Sequence, residues 1–356
     1  MAPLCWSESV IKSLLVKKER MLTHFPQGIY NGHMPSITFK TYDDAIKELR
    51  NRGMRVSDVR AAKAYLESFS IYNVINGYAD IFDDPRNPGH FREGTTFSEL
   101  KSLHHFDESL RRCLTHYVLK IECSVKSRAT YQFCSAQKPD GTRKRGSCDY
   151  LIPSSYDPMQ QAKVLKLIAD LSGVITNGSF NPGPIKSYVN NGINPPPVWV
   201  LATGMTFGNT LKFYECLLPS ERNQVARSFQ LPEDVFDSFL MILRDFRNAL
   251  AHSNRVFCFK TVHRPKRIAL TNGNYDRVEL SSERRFGSVL YILQHLLSEK
   301  DFKKLINEVS NLSMGLAKKL KTISILDVAT EMGVPNSMRL RYGIKLSEPD
   351  CQSPIP

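Results

Sequence analysis

Residues 96–133 read TFSELKSLHHFDESLRRCLTHYVLKIECSVKSRATYQF, and this stretch decides the fold class. Leu103, Phe106, Leu110, Leu114, Tyr117 and Ile121 recur every three or four positions, a spacing that gathers them on one face of an α-helix. Asp107, Arg111, Val118 and Glu122 run along the border of that face, and His116 points away from it. Asp107 and Arg111 stand four apart with the acid first, the order that favours a salt bridge. No other segment of the chain gives so long a helical signal. Period-two alternation is confined to short pieces such as FCFKTVH (257–263) and RIALTN (267–272), so the expected class is mainly α.

Working outward, helices are expected to begin at Ser7, Thr41 and Ser57, each opened by a hydroxyl side chain able to cap free amides. Beyond the long helix, DPMQQAKVLKLIADLSG (157–173), TFGNTLKFYECLL (206–218), PSERNQVARSF (219–229) and PEDVFDSFLMILRDFRNALAHS (232–253) carry helical periodicity. So do SERRFGSVLYILQHLLS (282–298), DFKKLINEVSNLSMGLAKKL (301–320) and ILDVATEMG (325–333). Gly, Pro and Asn mark loop inserts near 138–156 and 177–197. A small β-hairpin is expected within 255–280, with NGN (272–274) near its turn. The expected organisation is an N-terminal helical region (1–60), a main helical domain (61–320) and a C-terminal helix and tail (321–356).

Of the 356 residues, 42% are hydrophobic and 23% charged, which excludes wholesale disorder. The net charge of +13 points to an anionic partner, nucleic acid first and an acidic membrane surface as its rival. No apolar run approaches the roughly 18 to 20 residues needed to cross a bilayer, and the N-terminus lacks the order of a secretory signal. A cytoplasmic protein is expected. The eight cysteines (Cys5, Cys113, Cys123, Cys134, Cys148, Cys216, Cys258 and Cys351) are scattered with no C-x-x-C pair, and are read as reduced thiols without a metal.

Two Arg-x4-His pairs invite a catalytic reading: Arg247–His252 in RDFRNALAHS (244–253) and Arg111–His116 in RRCLTH. With 24 Arg and 9 His, about 0.6 such pairs arise by chance, so spacing alone decides nothing. On a helical wheel Arg247, Arg244, Asn248, His252 and Asp245 follow one another, in that order, along an arc of less than half the circumference. Phe239, Ile242, Leu243, Phe246, Ala249 and Leu250 fill the opposite arc. The polar arc is either a solvated face or a site. As a site it offers a proton carrier in His252, an anion partner in Arg247 and an amide, Asn248, within reach of the ring. RNA cleavage by the 2′-hydroxyl needs a base and an acid, which two symmetric copies of the face would supply. Arg111 is accounted for by the salt bridge expected with Asp107.

Four stretches together resemble the Abi-like (abortive infection) family of bacterial proteins: YNVINGYADIF (72–82), FSELKSLHHFDESLRRCLTHYVLKIECSVKSRA (97–129), PPPVWVLATGMTFGNTLKFYECL (195–217) and LRDFRNALAHSNRVF (243–257). They occur in the family's order over roughly residues 60–260. The resemblance implies a HEPN-type helical bundle and a metal-independent endoribonuclease without a cofactor. Its signature of Arg, a polar residue, three variable residues and His matches Arg247, Asn248 and His252. RRCLTH has Arg112 where the polar residue should be. One departure is Thr203, at a place where the family often carries an acid. Arg255 resembles an arginine that follows the motif and contacts RNA. The implied function is a toxin-like effector in phage defence, acting on RNA as a homodimer, with a small noncoding RNA as a candidate inhibitor. The alternative is an RNA-binding scaffold that holds a structured small RNA with weak or no catalysis. Arg244, Arg255 and two basic stretches, 138–145 (Lys138, Arg143, Lys144, Arg145) and 263–267 (His263, Arg264, Lys266, Arg267), are the expected RNA contacts.

Overall fold

In α1 (Tyr42–Asn51) the Thr41 side chain accepts from the Asp44 amide while Asp44 accepts from the Thr41 amide. This reciprocal cap gives side-chain acceptors to two of the amide donors a helix start leaves free. The next helix, α2 (Val59–Phe69), is capped by Asp58 rather than by the expected Ser57. A turn of π-helix (Tyr72–Asn76) and one of 3-10 helix (Asp80–Phe82) lead into α3 (Phe97–Ser135), a single helix of 39 residues. The structure, a computed structural model, describes residues 39–137, 141–181, 183–252, 254–266, 268 and 284–334.

α3 is the axis of the molecule. Its expected stripe of Leu103, Phe106, Leu110, Leu114, Tyr117 and Ile121 is buried, and Val118, Val125, Ala129 and Phe133 extend it. Around it follow α4 (Gln161–Phe180), α5 (Pro184–Asn190), α6 (Val198–Leu201), α7 (Phe207–Cys216), α8 (Pro219–Ser228) and α9 (Glu233–Ala251). The described chain ends with α10 (Phe286–Leu296), α11 (Glu299–Ala317) and α12 (Ile325–Glu331). Helices α6 to α11 all pack on α3, and one apolar cluster runs from Ile46 to Val334. Glu99, a buried carboxylate in the cap of α3, ties the segment before α12 to that helix by accepting from the Lys321 and Thr322 amides at 2.7 and 2.8 Å.

The mainly helical class and bundle are as expected, and three details differ. The insert at 177–197 is half helical: α4 continues to Phe180 and α5 follows. Ile185 of α5 packs so close to Gly178 and Gly204 that a Cβ there would sit 2.7 and 2.9 Å from its Cδ1, so a side chain at either position would push Ile185 aside, most of all at Gly178, where its Cγ2 and Cβ also crowd in at 2.8 and 3.0 Å. The insert at 138–156 carries 3-10 turns at Asp149–Leu151 and Pro153–Ser155. FCFKTVH forms no strand; Lys260 makes one antiparallel bridge to Arg285, and no strand occurs among the described residues. Half of the expected hairpin, its NGN turn included, the helix expected from Ser7, and the C-terminal tail lie outside the described residues.

Candidate active site

α9 carries both faces that the wheel separates. Phe239, Ile242, Leu243, Phe246, Ala249 and Leu250 are buried, while Asn248 and His252 are exposed and one third of the Arg247 side chain is open. Arg244 is spent locally on its neighbour Asp245 at 3.2 Å. His252 is the C-cap, with φ −95° and ψ 18°, and its amide donates to the Asn248 carbonyl at 3.0 Å. The expected contact between the Asn248 amide group and the His252 ring is absent: the link between them runs through the backbone. The imidazole therefore stands at a helix end, facing solvent.

Three groups fix this end of α9. The buried carboxylate of Glu122, on α3, faces Arg247 Nε at 3.5 Å. Asp107, fully buried on the same helix, accepts from the Val256 amide (3.0 and 3.1 Å), the Phe257 amide (2.7 Å) and the Tyr78 hydroxyl (2.6 Å). Burial pushes the Asp107 carboxyl above its ordinary value, and these donors act against that push. Arg255 donates to the Gly77 carbonyl at 2.5 Å. A fourth contact brings in the segment before α7, because Lys126 Nζ donates to the Met205 carbonyl at 2.8 Å and lies 3.9 Å from Glu122.

Two expectations change here. Asp107 does not pair with Arg111, which instead lies 3.9 Å from Glu108, because the Asp107 oxygens are taken by the loop after α9. Arg255, expected to contact RNA, has its guanidinium on the Gly77 carbonyl. Sequence reading missed the roles of Asp107 and Glu122, although it placed both on the border of the buried stripe. Thr203, which stands where the resemblance implies an acid, uses its hydroxyl to bond the Val200 carbonyl at 2.7 Å.

The basic residues do not gather around His252. Arg145 is buried, donates to the Phe133 and Ser155 carbonyls at 2.9 and 2.7 Å and pairs with buried Glu221; it is a core group where a loop-surface cation was expected. Lys144 and Arg143 are exposed, and the Lys144 amide bonds Ala136, fourteen residues from Glu122 and so about 21 Å along α3. His263 and Arg264 are exposed, and Lys266 holds Asp234 near the start of α9. Its amide bonds Ser238, about 21 Å along the helix from His252. Lys138 and Arg267 lie outside the described residues.

The sequence profile of a family described as "Abi-like protein" matches residues 64–258, more than half of the chain. The chain belongs to the Abi-like protein family. Searches of the curated proteins and of the solved structures give no match. The matched span of this Abi-like protein opens in α2 and closes just past Phe257, so it holds Tyr78, Asp107, Glu122, Lys126, Met205, Arg247 and Arg255. Membership associates the chain with abortive-infection defence. No helix of the described residues is long and apolar enough to cross a membrane, and the described cysteines are free thiols.

Among its described residues, His104, His105 and Glu108 bring metal-ligand atoms within 4.8 Å of one another. Nδ1 of buried His104 already meets the Tyr65 hydroxyl at 2.6 Å, and the ring packs edge-on against Phe69 and Tyr78, which fits a core histidine better than a ligand. Burial holds the His104 ring below its ordinary pKa, with Glu108 pulling the other way. A depressed value means that the unfolded chain takes up the proton first. Stability is therefore expected to fall as pH drops below about 6.5, and the fall should be smaller in His104→Gln. Urea midpoints at pH 7.5 and 5.5 for both proteins check this; equal changes in the two would refute it.

Proposed function

We propose that this Abi-like protein is a metal-independent endoribonuclease of the HEPN type, a cytoplasmic toxin-like effector whose catalytic set is Arg247, Asn248 and His252. The observation that carries the reading is the end of α9: His252 and Asn248 face solvent without a side-chain partner among the described residues, while Glu122 pairs with the Arg247 side chain just before them and Asp107 holds the backbone amides just after them. Such an end presents a proton carrier and an anion partner to an external ligand, at a position the fold determines.

In the proposed reaction, His252 takes the proton of the RNA 2′-hydroxyl as that oxygen attacks phosphorus. The P–O5′ bond breaks, and the 5′-oxygen receives a proton from the His252 of a second copy. Arg247 offsets the charge that builds on the phosphoryl oxygens, and Asn248 hydrogen-bonds one of them. Each chain offers one such histidine, so the working unit is a homodimer that joins the two α9 ends. A small noncoding RNA inhibitor would compete for the same cations.

The test is chemical. Purified protein incubated with single-stranded RNA in EDTA is expected to yield fragments ending in 2′,3′-cyclic phosphate and 5′-hydroxyl. A requirement for added Mg²⁺, or fragments bearing 5′-phosphate, would sink the mechanism. Salt-sensitive RNA retention without cleavage would favour the scaffold reading, to which exposed Arg143, Lys144 and Arg264, all remote from the motif, lend themselves.

A further inference from the structure

We infer that Glu122 is the positioning residue of Arg247: it holds the guanidinium by Nε and so turns the two Nη groups, as a pair, toward an RNA phosphate. This rests on the ribonuclease reading above.

The Glu122 side chain is enclosed in α3, and its Oε2 accepts no hydrogen bond. A buried carboxylate oxygen without a donor is costly unless a cation stands against it. Lys126 is already committed to the Met205 carbonyl at 2.8 Å and lies 3.9 Å from Oε1, the other oxygen. Oε2 is left to Arg247 Nε, at 3.5 Å. That contact is an ion pair just longer than a good hydrogen bond, and a small approach of Nε would complete it.

Guanidinium is a rigid planar fork, so the edge it gives to one partner determines the edge left for another. With Nε turned to Glu122, the Nη1–Nη2 edge remains for two oxygens of one phosphate. The Nη atoms make no hydrogen bond among the described residues, and one third of the side chain is open. Glu122 thus adds direction to a charge that Arg247 already supplies.

Two measurements on the full chain test this. In steady-state cleavage, Glu122→Gln is expected to lower kcat about tenfold with KM unchanged or reduced, because removing a negative charge does not weaken attraction to RNA. In NMR, the Arg247 Nε–H is expected to exchange with water several-fold faster in Glu122→Gln, and Glu122→Asp, one methylene shorter, should behave alike. A kcat within twofold of wild type, after correction for the folded fraction, would overturn the inference. If the wild type cleaves no RNA the ribonuclease reading fails, and the Nε–H exchange still decides: an unchanged rate removes the hold assigned to Glu122.

Discussion

Replacing His252 with alanine is expected to lower the rate of RNA cleavage by about 10²- to 10⁴-fold, the range that a positioned general acid or base contributes. The side chain is exposed at the C-cap of α9 and makes no hydrogen bond or ion pair among the described residues. Its loss should therefore change the unfolding free energy by no more than about 0.5 kcal/mol. Helix α9 keeps the cap contact because the amide of residue 252, not its ring, bonds the Asn248 carbonyl. The pairing of a large kinetic effect with a negligible thermal one separates chemistry from folding. Cleavage of a labelled RNA and a melting curve on the same preparation check it. Activity within threefold of wild type would remove His252 from the mechanism.

The second large effect belongs to the fold. Glu221→Ala is expected to cost about 3–5 kcal/mol of stability, because it leaves the Arg145 guanidinium buried without its counter-ion. Both side chains are nearly inaccessible, and Arg145 also lies 4.1 Å over the Phe133 ring. Glu221 has a second task, since its Oε2 accepts from the Leu218 amide at the start of α8. Glu221→Gln keeps an acceptor for that amide and should lose less. The pair sits at Phe133, eleven residues along α3 from Glu122 and so about 17 Å from it. Cleavage per folded molecule should thus survive the change. Denaturant unfolding of the two variants measures the difference, and a loss below about 1 kcal/mol in the alanine variant would show that the pair contributes little beyond its desolvation.

Periodicity makes two elements readable in advance. The stripe of α3 and the two faces of α9 follow from spacing because a helix places every third or fourth residue on one side whatever it packs against. What spacing cannot give is the partner. Asp107 looks like half of an i, i+4 pair, yet its oxygens go to amides about 150 residues away, and local order carries no information about that contact. Arg145 sits in a run of charge and glycine that reads as solvated loop, and only the assembled core shows it pointing inward. At 177–190, Gly, Asn and Pro read as breakers. Gly178 is there to admit Ile185, so the residue that marks a loop in sequence permits a helix contact in space. FCFKTVH alternates like a strand, but the Phe257 amide is claimed by Asp107, and among the described residues the segment pairs only through the bridge at Lys260.

The single long helix at the centre has a consequence for how the chain tolerates change. Glu122 and Asp107 are fifteen residues apart on α3, about 22 Å of rigid rod, and they grip the motif segment on either side of His252, at Arg247 and at Val256–Phe257. α3 thus serves as a ruler against which the segment's length is gauged. Substitutions between the two grips leave the gauge intact, whereas adding or deleting one residue there shifts His252 relative to Arg247 or pulls an amide off Asp107. Point mutation and change of length should therefore have very different prospects in this stretch.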